Sequence, residues 1–427
     1  MRIFPHFYNK LYILAICVWI FVLTGVFYLV AKPVRDASID FYGYYITASA
    51  IHQGKPIYAQ DTYDSVAAAI GVEKAALVRY PPTFAMLIQP VLLVSPHVAS
   101  LIWFLANVGM LLVGVGILFK YSNLQDHHVR VTLLLIPVLF TPVLLTFYHG
   151  QVNILIFMLI VLTYLAFVRR QPYVSGVLLA LSVWIKIWPI TLIAYFFWKR
   201  EWKVVLGAII GLLLIGILTL SIAGVGQTTS FFKDVLPMFM AGTEPGLDHL
   251  NQSVPGIFAK LFAPSSQFVY PLFESPMLAQ LGSRIVSLLI IAATFILCSK
   301  PIALKDEEQF STEFVLVVMS TMLITAWLWE ASLTLLLLAY YFFANQLQSE
   351  KNIRWRSIAI PIVSVVLIDL HRVIWTLANP DKQVLPWFLL IFPFLGLVLI
   401  WMTFVLKRLR EIKILKNSQG IVVIDAN

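Results

Sequence analysis

The sequence predicts an all-α polytopic membrane protein with about 12 membrane segments and two long loops on one side. Of its 427 residues, 60% are hydrophobic and only 12% are charged, whereas soluble domains carry about 25% charged residues. A helix needs about 20 apolar residues to cross roughly 30 Å of hydrocarbon, and runs of that length recur along the chain. Such runs favour helices over membrane β-strands, which are shorter and alternate in polarity. We therefore expect a single integral membrane domain over residues 1–427.

Ten apolar runs are expected to form membrane segments, and the first is expected to be an uncleaved span and not a signal peptide. They cover residues 11–31, 97–119, 130–147, 151–168, 203–223, 277–298, 311–328, 330–345, 357–376 and 385–406. The stretch 173–198 is ambiguous because Lys186 and Pro189 interrupt its centre. It forms either one long helix or a hairpin of two half-helices with Lys186 at the apex.

The distribution of positive charge distinguishes these two topologies, because cytoplasmic loops are enriched in Lys and Arg. The hairpin places most of the 30 Lys and Arg residues on the cytoplasmic side, whereas a single span places most of them outside. We therefore expect a multi-pass protein of the cell membrane with both termini cytoplasmic. Loops 32–96 and 224–276 then face the extracytoplasmic side. Topology also explains the net charge of +9, so no nucleic-acid partner is expected.

The first extracytoplasmic loop is predicted to contain two short helices, the first of them amphipathic. The first helix covers residues 41–53 and ends at Gly54, because glycine readily adopts the left-handed conformation that follows a helix. The second helix lies around residues 64–76. The segment 80–90 is too short to cross the bilayer and is expected at the membrane interface.

Asp40 lies at the start of the first of these helices, and the sequence leaves two roles open for it. Aspartate is among the best N-cap residues, and hydrogen bonds from backbone N–H groups would lower its pKa and weaken it as a base. Alternatively, Asp40 is a general base that takes a proton from a hydroxyl group as that group becomes acidic during a reaction.

Two cationic residues are candidates for binding a phosphate group. Lys186 lies between Trp184 and Trp188, and an ionisable residue in such apolar surroundings indicates a functional site unless it extends to the interface. Arg79 could hold a phosphate with two parallel hydrogen bonds, or it could lie among lipid headgroups.

Other polar residues are candidates for binding a substrate. The connection His149-Gly150-Gln151-Val152-Asn153 is so short that its side chains must face the outer side, where they either bind a ligand or cap helix ends. Tyr44 could stack on a sugar ring or belong to the aromatic belt of the membrane. Further polar residues, in or beside the two loops and at an outer helix end, are Tyr80, Asn251, Gln252 and Glu330.

The sequence contains no glycine-rich nucleotide loop, no metal-ligand spacing and no Gly-x-Ser-x-Gly motif. An activated substrate would therefore arrive through the membrane.

An ordered set of these residues resembles glycosyltransferase family 87 over approximately residues 36–335. The set comprises Asp40, Tyr44, Gly54, Tyr58, Tyr80-Pro81-Pro82, Pro90, Gly150-Gln151-Val152-Asn153, Lys186, Pro189 and Asn251-Gln252-Ser253. The resemblance implies a GT-C-type bundle that moves a hexose, typically mannose, from a polyprenyl-phosphate donor to a hydroxyl of a lipid or glycan acceptor, with inversion. The segment Trp329-Glu330-Ala331-Ser332 keeps the tryptophan and acid of the family pattern but lacks its histidines.

The resemblance also implies roles for individual residues. Asp40 would be the general base, with Asp36 as the second candidate. Lys186, Arg79 and His149 would neutralise the donor phosphate, and because these cations could replace a divalent ion, we expect no metal and no other cofactor. The expected substrate-binding residues are Tyr44, Tyr80, Gln151, Asn153, Asn251, Gln252 and Glu330.

Two other classes of protein share these features. A transporter or flippase of a lipid-linked sugar would also have many helices, but its polar site usually lies near the membrane midplane on interrupted helices. A lipid-linked glycan ligase or polymerase would share the topology and transfer a whole glycan. The polar residues predicted here gather at outer helix ends, which favours an enzyme that acts at the membrane surface.

Overall fold

The computed structural model describes residues 5–32, 38–73, 75–122, 124–241, 250–264, 269–299, 307–348, 354–378 and 385–424. Asp36, the second candidate for the general base, lies outside these residues.

The described residues are almost entirely helical. The first helices are α1 (Pro5–Ala31), α2 (Ile39–His52), α3 (Gln60–Ala69), α4 (Pro82–Leu87), α5 (Pro96–Tyr121), α6 (His127–Leu139), α7 (Thr141–His149), α8 (Asn153–Val168) and α9 (Pro172–Ile185). The remaining α-helices are α10 (Ile190–Trp198), α11 (Trp202–Ala223), α12 (Val225–Ser230), α13 (Leu236–Ala241), α14 (Val254–Phe262), α15 (Ser283–Leu297), α16 (Glu307–Ile324), α17 (Leu336–Gln348), α18 (Arg354–Ala378) and α19 (Phe392–Ile424).

Short irregular elements connect some of these helices. The 3₁₀ segments are Gln89–Leu93, Glu330–Leu335 and Trp387–Leu389, and the π-helical segments are Phe231–Val235 and Leu278–Gly282. Strands β1 (Val269–Tyr270) and β2 (Leu385–Pro386) form one short parallel pair.

Six helical stretches among the described residues combine the length and apolar composition needed to cross a membrane. They are Asn9–Ala31, Pro96–Tyr121, His127–His149, Trp202–Ala223, Leu278–Leu297 and Phe392–Lys413. The first of them exposes large apolar side chains such as Phe21, which is 80% exposed, as a lipid-facing helix does. The predicted class of helical membrane protein is thus supported, whereas the total of about 12 segments and their orientation stay predictions.

Several helix boundaries differ from those that the sequence predicts. Helix α3 begins at Gln60 and ends at Ala69 because Gly71 takes the left-handed conformation, with φ +71°, and the chain leaves the helix there. The last membrane helix begins at Phe392 and not at residue 385, because Leu385 and Pro386 pair with β1.

The stretch 173–198 is interrupted where the sequence predicts. Helix α9 ends at Ile185, Lys186 has extended dihedral angles (φ −138°, ψ 124°), and α10 starts after Pro189. Proline lacks the N–H that would continue α9 and readily precedes a new helix. The side chain of Lys186 is therefore presented at a break between two apolar helices.

The chain divides into two compact units. The first unit comprises Met1–Ile193, Trp202–Pro245 and Trp329–Tyr341. Within it, α9 and α11 approach closely at Gly176 and Gly207. The approach is so close that a Cβ atom added at either position would overlap the backbone of the other helix. Small residues allow this kind of backbone approach in membrane proteins, so α9 is held firmly up to the break at Lys186.

The second unit comprises Ala194–Glu201, Gly246–Leu328 and Phe342–Asn427. A buried ionic cluster joins its helices around Glu313 of α16. The carboxylate of Glu313 lies 2.5 Å from Lys199 Nζ and 2.5 Å from Arg408 Nη2, and all three side chains are at most 1% exposed. Tyr195 donates a hydrogen bond to Glu313, and Arg408 forms a further ion pair with Glu411.

Candidate active site

The first unit places Asp40 in the first turn of α2, beyond the residue that caps the helix. Ser38 is the N-cap residue, in the left-handed conformation with φ 56°, and its backbone N–H donates to Tyr148 O at 2.7 Å. This bond attaches the start of α2 to the end of α7. The interpretation of Asp40 as the N-cap is therefore wrong, and its carboxylate is available for another partner.

Gly150 brings the α7–α8 connection against the start of α2. It has φ +71°, a conformation that glycine adopts without strain, and an added Cβ would lie 2.6 Å from Cβ of Phe41. The indole N–H of Trp103 donates to Gly150 O at 2.8 Å. Both the conformation and the close approach require glycine, and together they set the next residue, Gln151, beside Asp40.

A linear series of hydrogen bonds, here named the Asp40–Lys186 chain, connects a carboxylate to an ammonium group. Gln151 Nε2 donates to Asp40 Oδ2 at 2.9 Å. Asn153 Nδ2 donates to Gln151 Oε1 at 2.6 Å, and Lys186 Nζ donates to Asn153 Oδ1 at 2.7 Å. Asp40, Gln151 and Asn153 are all buried. The first turn of α2, the α7–α8 connection with the start of α8, and the α9–α10 break thus contribute to one polar site.

Hydroxyl side chains that sequence reasoning did not assign surround this chain. Ser332, from the 3₁₀ segment Glu330–Leu335, donates to Asn153 Oδ1 and accepts from Lys186 Nζ, both at 3.3 Å. Thr146 accepts from Asn153 Nδ2 at 3.4 Å and lies 3.3 Å from the Thr334 hydroxyl. The position of Ser332, two residues after Glu330 in the segment Trp329-Glu330-Ala331-Ser332, is a sequence signal that could have indicated its role. The sequence contains no comparable signal for Thr146 or Thr334.

Aromatic residues form one side of the site. Lys186 Nζ lies 5.4 Å from the ring centroid of Tyr80, a cation–π contact. Tyr44 stacks on Tyr80 with ring centroids 5.8 Å apart, and Tyr58 donates to the carbonyl of Tyr80 at 2.8 Å. Tyr44 and Tyr80 therefore lie beside the polar chain.

Burial governs the electrostatics of this site. In the sequence, Asp40 falls between the first two candidate spans and is part of neither. Burial raises the pKa of Asp40 from the usual 3.8 to about 6. The hydrogen bond from Gln151 and the positive charge of Lys186 act in the opposite direction and lower this pKa. Burial and the charge of Asp40 also raise the pKa of the Tyr44 and Tyr80 hydroxyls, so both tyrosines stay neutral. A carboxylate with a raised pKa is a stronger base than an exposed one.

The other predicted phosphate-binding residues have different surroundings. Arg79 Nη1 lies 3.1 Å from Met238 Sδ of α13, within the first unit. His149 is the last residue of α7, and its ring contacts that of Tyr148 edge to face with centroids 5.0 Å apart. Glu330, a predicted substrate-binding residue, is buried at the start of the 3₁₀ segment that carries Ser332.

Asn251 and Gln252 belong to the second unit, where both are buried. Asn251 Nδ2 donates to Ala326 O at 2.7 Å, and its Oδ1 accepts from Leu328 N at 2.9 Å. The Gln252 amide lies between the Lys260 ammonium group and the carbonyl of Leu390. The contacts of Asn251 join the second loop to the segment that follows α16, so the amide of Asn251 has a structural role.

The described residues contain no group of three or more His, Cys, Asp or Glu side chains arranged to hold a metal ion. The positive charge beside Asp40 comes from Lys186.

Comparison with known proteins identifies the family. The fold and site define a helical membrane protein that joins a buried carboxylate to a lysine through two amides. The sequence matches the family model of glycosyltransferase family 87 over residues 78–326, which is more than half of the chain. The protein therefore belongs to glycosyltransferase family 87 and is a membrane glycosyltransferase. None of the curated proteins matches the chain with significant similarity.

Proposed function

We propose that the protein transfers a hexose, first of all mannose, from a polyprenyl-phosphate donor to a hydroxyl of a lipid or glycan acceptor on the extracytoplasmic side of the membrane. The observation that carries this proposal is the Asp40–Lys186 chain, which holds a base and a cation in one buried site. Family membership supplies the reaction class, and this site supplies the two charges that the reaction requires.

The proposed reaction is a single displacement at the anomeric carbon. The acceptor oxygen attacks that carbon while Asp40 takes the hydroxyl proton. The bond from the anomeric carbon to the phosphate oxygen breaks, and its electron pair leaves with the polyprenyl phosphate. One displacement inverts the anomeric configuration. Because the leaving phosphate is already a stabilised anion, no acid is needed to protonate it.

Lys186 neutralises the negative charge that develops on the leaving phosphate. Fixed charges in a water-poor site stabilise such charge more strongly than solvent does. Arg79 and His149 are proposed to assist Lys186 once the donor is bound. Tyr44 and Tyr80 offer ring faces for the sugar, and Glu330 is proposed to contact substrate.

A transfer assay tests this proposal directly. The protein is reconstituted in liposomes and supplied with radiolabelled polyprenyl-phosphate mannose or glucose, together with a total lipid and envelope-glycan extract of the source cells. We expect label to move from the polyprenyl phosphate to another lipid or glycan as single hexose units. Movement of the labelled donor across the bilayer without transfer would indicate a transporter, and transfer of whole glycans would indicate a ligase.

Chelation of divalent cations is expected to leave the transfer rate within about twofold of its initial value, because Lys186 supplies the positive charge that a metal would otherwise provide. The rate is measured in the same liposomes with and without excess EDTA, and magnesium is then added back. Loss of activity with EDTA and its recovery with magnesium would contradict the proposed role of Lys186.

The transfer rate is expected to depend on pH through Asp40. A general base must be ionised, and burial raises the pKa of Asp40 to about 6. The ratio kcat/KM should therefore fall as pH decreases through about 6 and reach a plateau above it. A profile that is flat from pH 5 to pH 8 would show that the base titrates elsewhere. The comparison uses initial rates at fixed lipid composition and ionic strength.

A further inference from the structure

The three hydrogen bonds of the Asp40–Lys186 chain all run in one direction. In each of them the donor lies on the lysine side and the acceptor on the aspartate side. The ammonium group can only donate and the carboxylate can only accept, so the two charges determine which way each amide points. Reversing the Asn153 amide would place its NH₂ group against the Lys186 ammonium, and reversing the Gln151 amide would place its carbonyl against Asp40.

Asn153 has both ends of its amide occupied within the protein. Its oxygen accepts from Lys186 and from Ser332, and its nitrogen donates to Gln151 and to Thr146. The residue is fully buried at the first position of α8. Such a side chain is suited to orienting its neighbours, whereas a substrate contact would require one of these bonds to break.

We propose that Asn153 is a positioning residue that acts on Asp40 through Gln151 and simultaneously holds Lys186 in place. By accepting from Lys186 and donating to Gln151, Asn153 keeps the Gln151 NH₂ group directed at Asp40 Oδ2. The other carboxylate oxygen, Oδ1, is then assigned to the acceptor hydroxyl. This inference rests on the proposed base role of Asp40 and replaces the expectation that Asn153 and Gln151 contact substrate.

A consequence of this arrangement is that Asn153 should control the pH at which Asp40 becomes active. A hydrogen bond donated to a carboxylate stabilises its charged form, so a misdirected Gln151 would make Asp40 harder to ionise. Asp40 also interacts electrostatically with Lys186, Tyr44, Tyr63 and Tyr80. The tyrosines are neutral near pH 7, so Lys186 is the charged group whose effect must be separated from that of Gln151.

The test uses Asn153→Leu in the reconstituted protein, with labelled polyprenyl-phosphate mannose as the donor and the source-cell extract as acceptor. The acid limb is the part of the pH profile in which kcat/KM falls as the pH decreases. We expect this limb to move to higher pH by about one unit, so that kcat/KM at a pH below the limb falls about tenfold relative to the plateau. Asn153→Ser is the second variant if the leucine protein does not fold, since serine suits a helix start but is too short to join Lys186 to Gln151.

A double-mutant cycle determines whether Asn153 acts through Gln151. In a Gln151→Leu background, Asn153→Leu should produce a clearly smaller further shift of the acid limb, because the donor to Asp40 is already lost and only the position of Lys186 can still change. An equal additional shift in that background would overturn the proposal, and so would a higher KM for the donor with an unchanged limb, which indicates direct substrate contact.

Asn107 provides a matched control within the same unit. It is an asparagine that is also fully buried, and its amide donates to Trp103 O at 2.9 Å in α5. Asn107→Leu should leave the acid limb in place even if it lowers the thermal stability. A limb that moves equally in this variant would show that Asn153 has only a structural role. Failure of the base role itself is recognised separately, by full activity of Asp40→Asn.

Discussion

Replacing Asp40 by asparagine is expected to reduce sugar transfer by about 10²–10⁴-fold, the range that a general base contributes. Asparagine matches aspartate in size, and its oxygen can still accept the hydrogen bond from Gln151 Nε2. Ser38, and not Asp40, occupies the N-cap position of α2, so the substitution should preserve the helix start. The substitution therefore removes the ability to take a proton while leaving the packing of the site nearly unchanged.

The measurement is the single-turnover transfer of labelled hexose, performed with protein whose thermal stability is shown to equal that of the wild type. Asp61→Asn is the control, because Asp61 occupies the first turn of the neighbouring helix α3 and is exposed. Its rate should match that of the wild type. Wild-type turnover in Asp40→Asn would eliminate Asp40 as the base and direct attention to Asp36.

The sequence predicts the chemistry of this site better than its geometry. Asp40 and Lys186 stand out because charged groups are rare in so apolar a chain. Pro189 indicates the helix break at which Lys186 lies. The hydrogen bonds that join them depend on α2 contacting the α7–α8 connection. That contact relies on Gly150 and on the left-handed conformation of Ser38, and a serine gives no sequence signal for such a conformation.

Residues that are polar but common are harder to assign. Ser332 contacts both Lys186 and Asn153 although it lies 146 and 179 residues away in sequence. A serine in an apolar segment usually bonds to its own helix backbone, so composition alone cannot distinguish these two outcomes. Conversely, the sequence treats Asn251 as a substrate contact, whereas in the structure its amide joins the second loop to Leu328.

Charge counting has a similar limitation in the second unit. The distribution of Lys and Arg places Lys199 and Arg408 on the cytoplasmic side, which treats them as solvent-facing charges. The structure buries both against Glu313. Burial of an ion pair depends on which helices meet, and that information lies in contacts between segments about 100 residues apart. The ionic cluster is therefore a finding of the structure alone.

Replacing Glu313 by alanine is expected to destabilise the protein by about 3–5 kcal/mol, because it leaves two buried cations without their shared carboxylate. Lys199 and Arg408 both pair with this one side chain, and Tyr195 and Gln309 also donate to it. The change is measured as the loss of folded protein on heating or denaturant titration in lipid nanodiscs. Glu308→Ala is the control, since Glu308 pairs with Lys407 while its side chain is 57% exposed, and exposed pairs contribute at most about 1 kcal/mol.

The reason for the expected loss can be separated from loss of packing. If the penalty comes from uncompensated charge, replacing Glu313, Lys199 and Arg408 together by methionine should restore much of the stability, because an apolar cluster of similar volume has no charge to desolvate. If the triple variant is as unstable as Glu313→Ala, then the hydrogen bonds from Arg408 to Leu297 O and from Lys199 to Cys298 O carry the stability instead. Equal stability of Glu313→Ala and Glu308→Ala would contradict the proposed importance of the cluster.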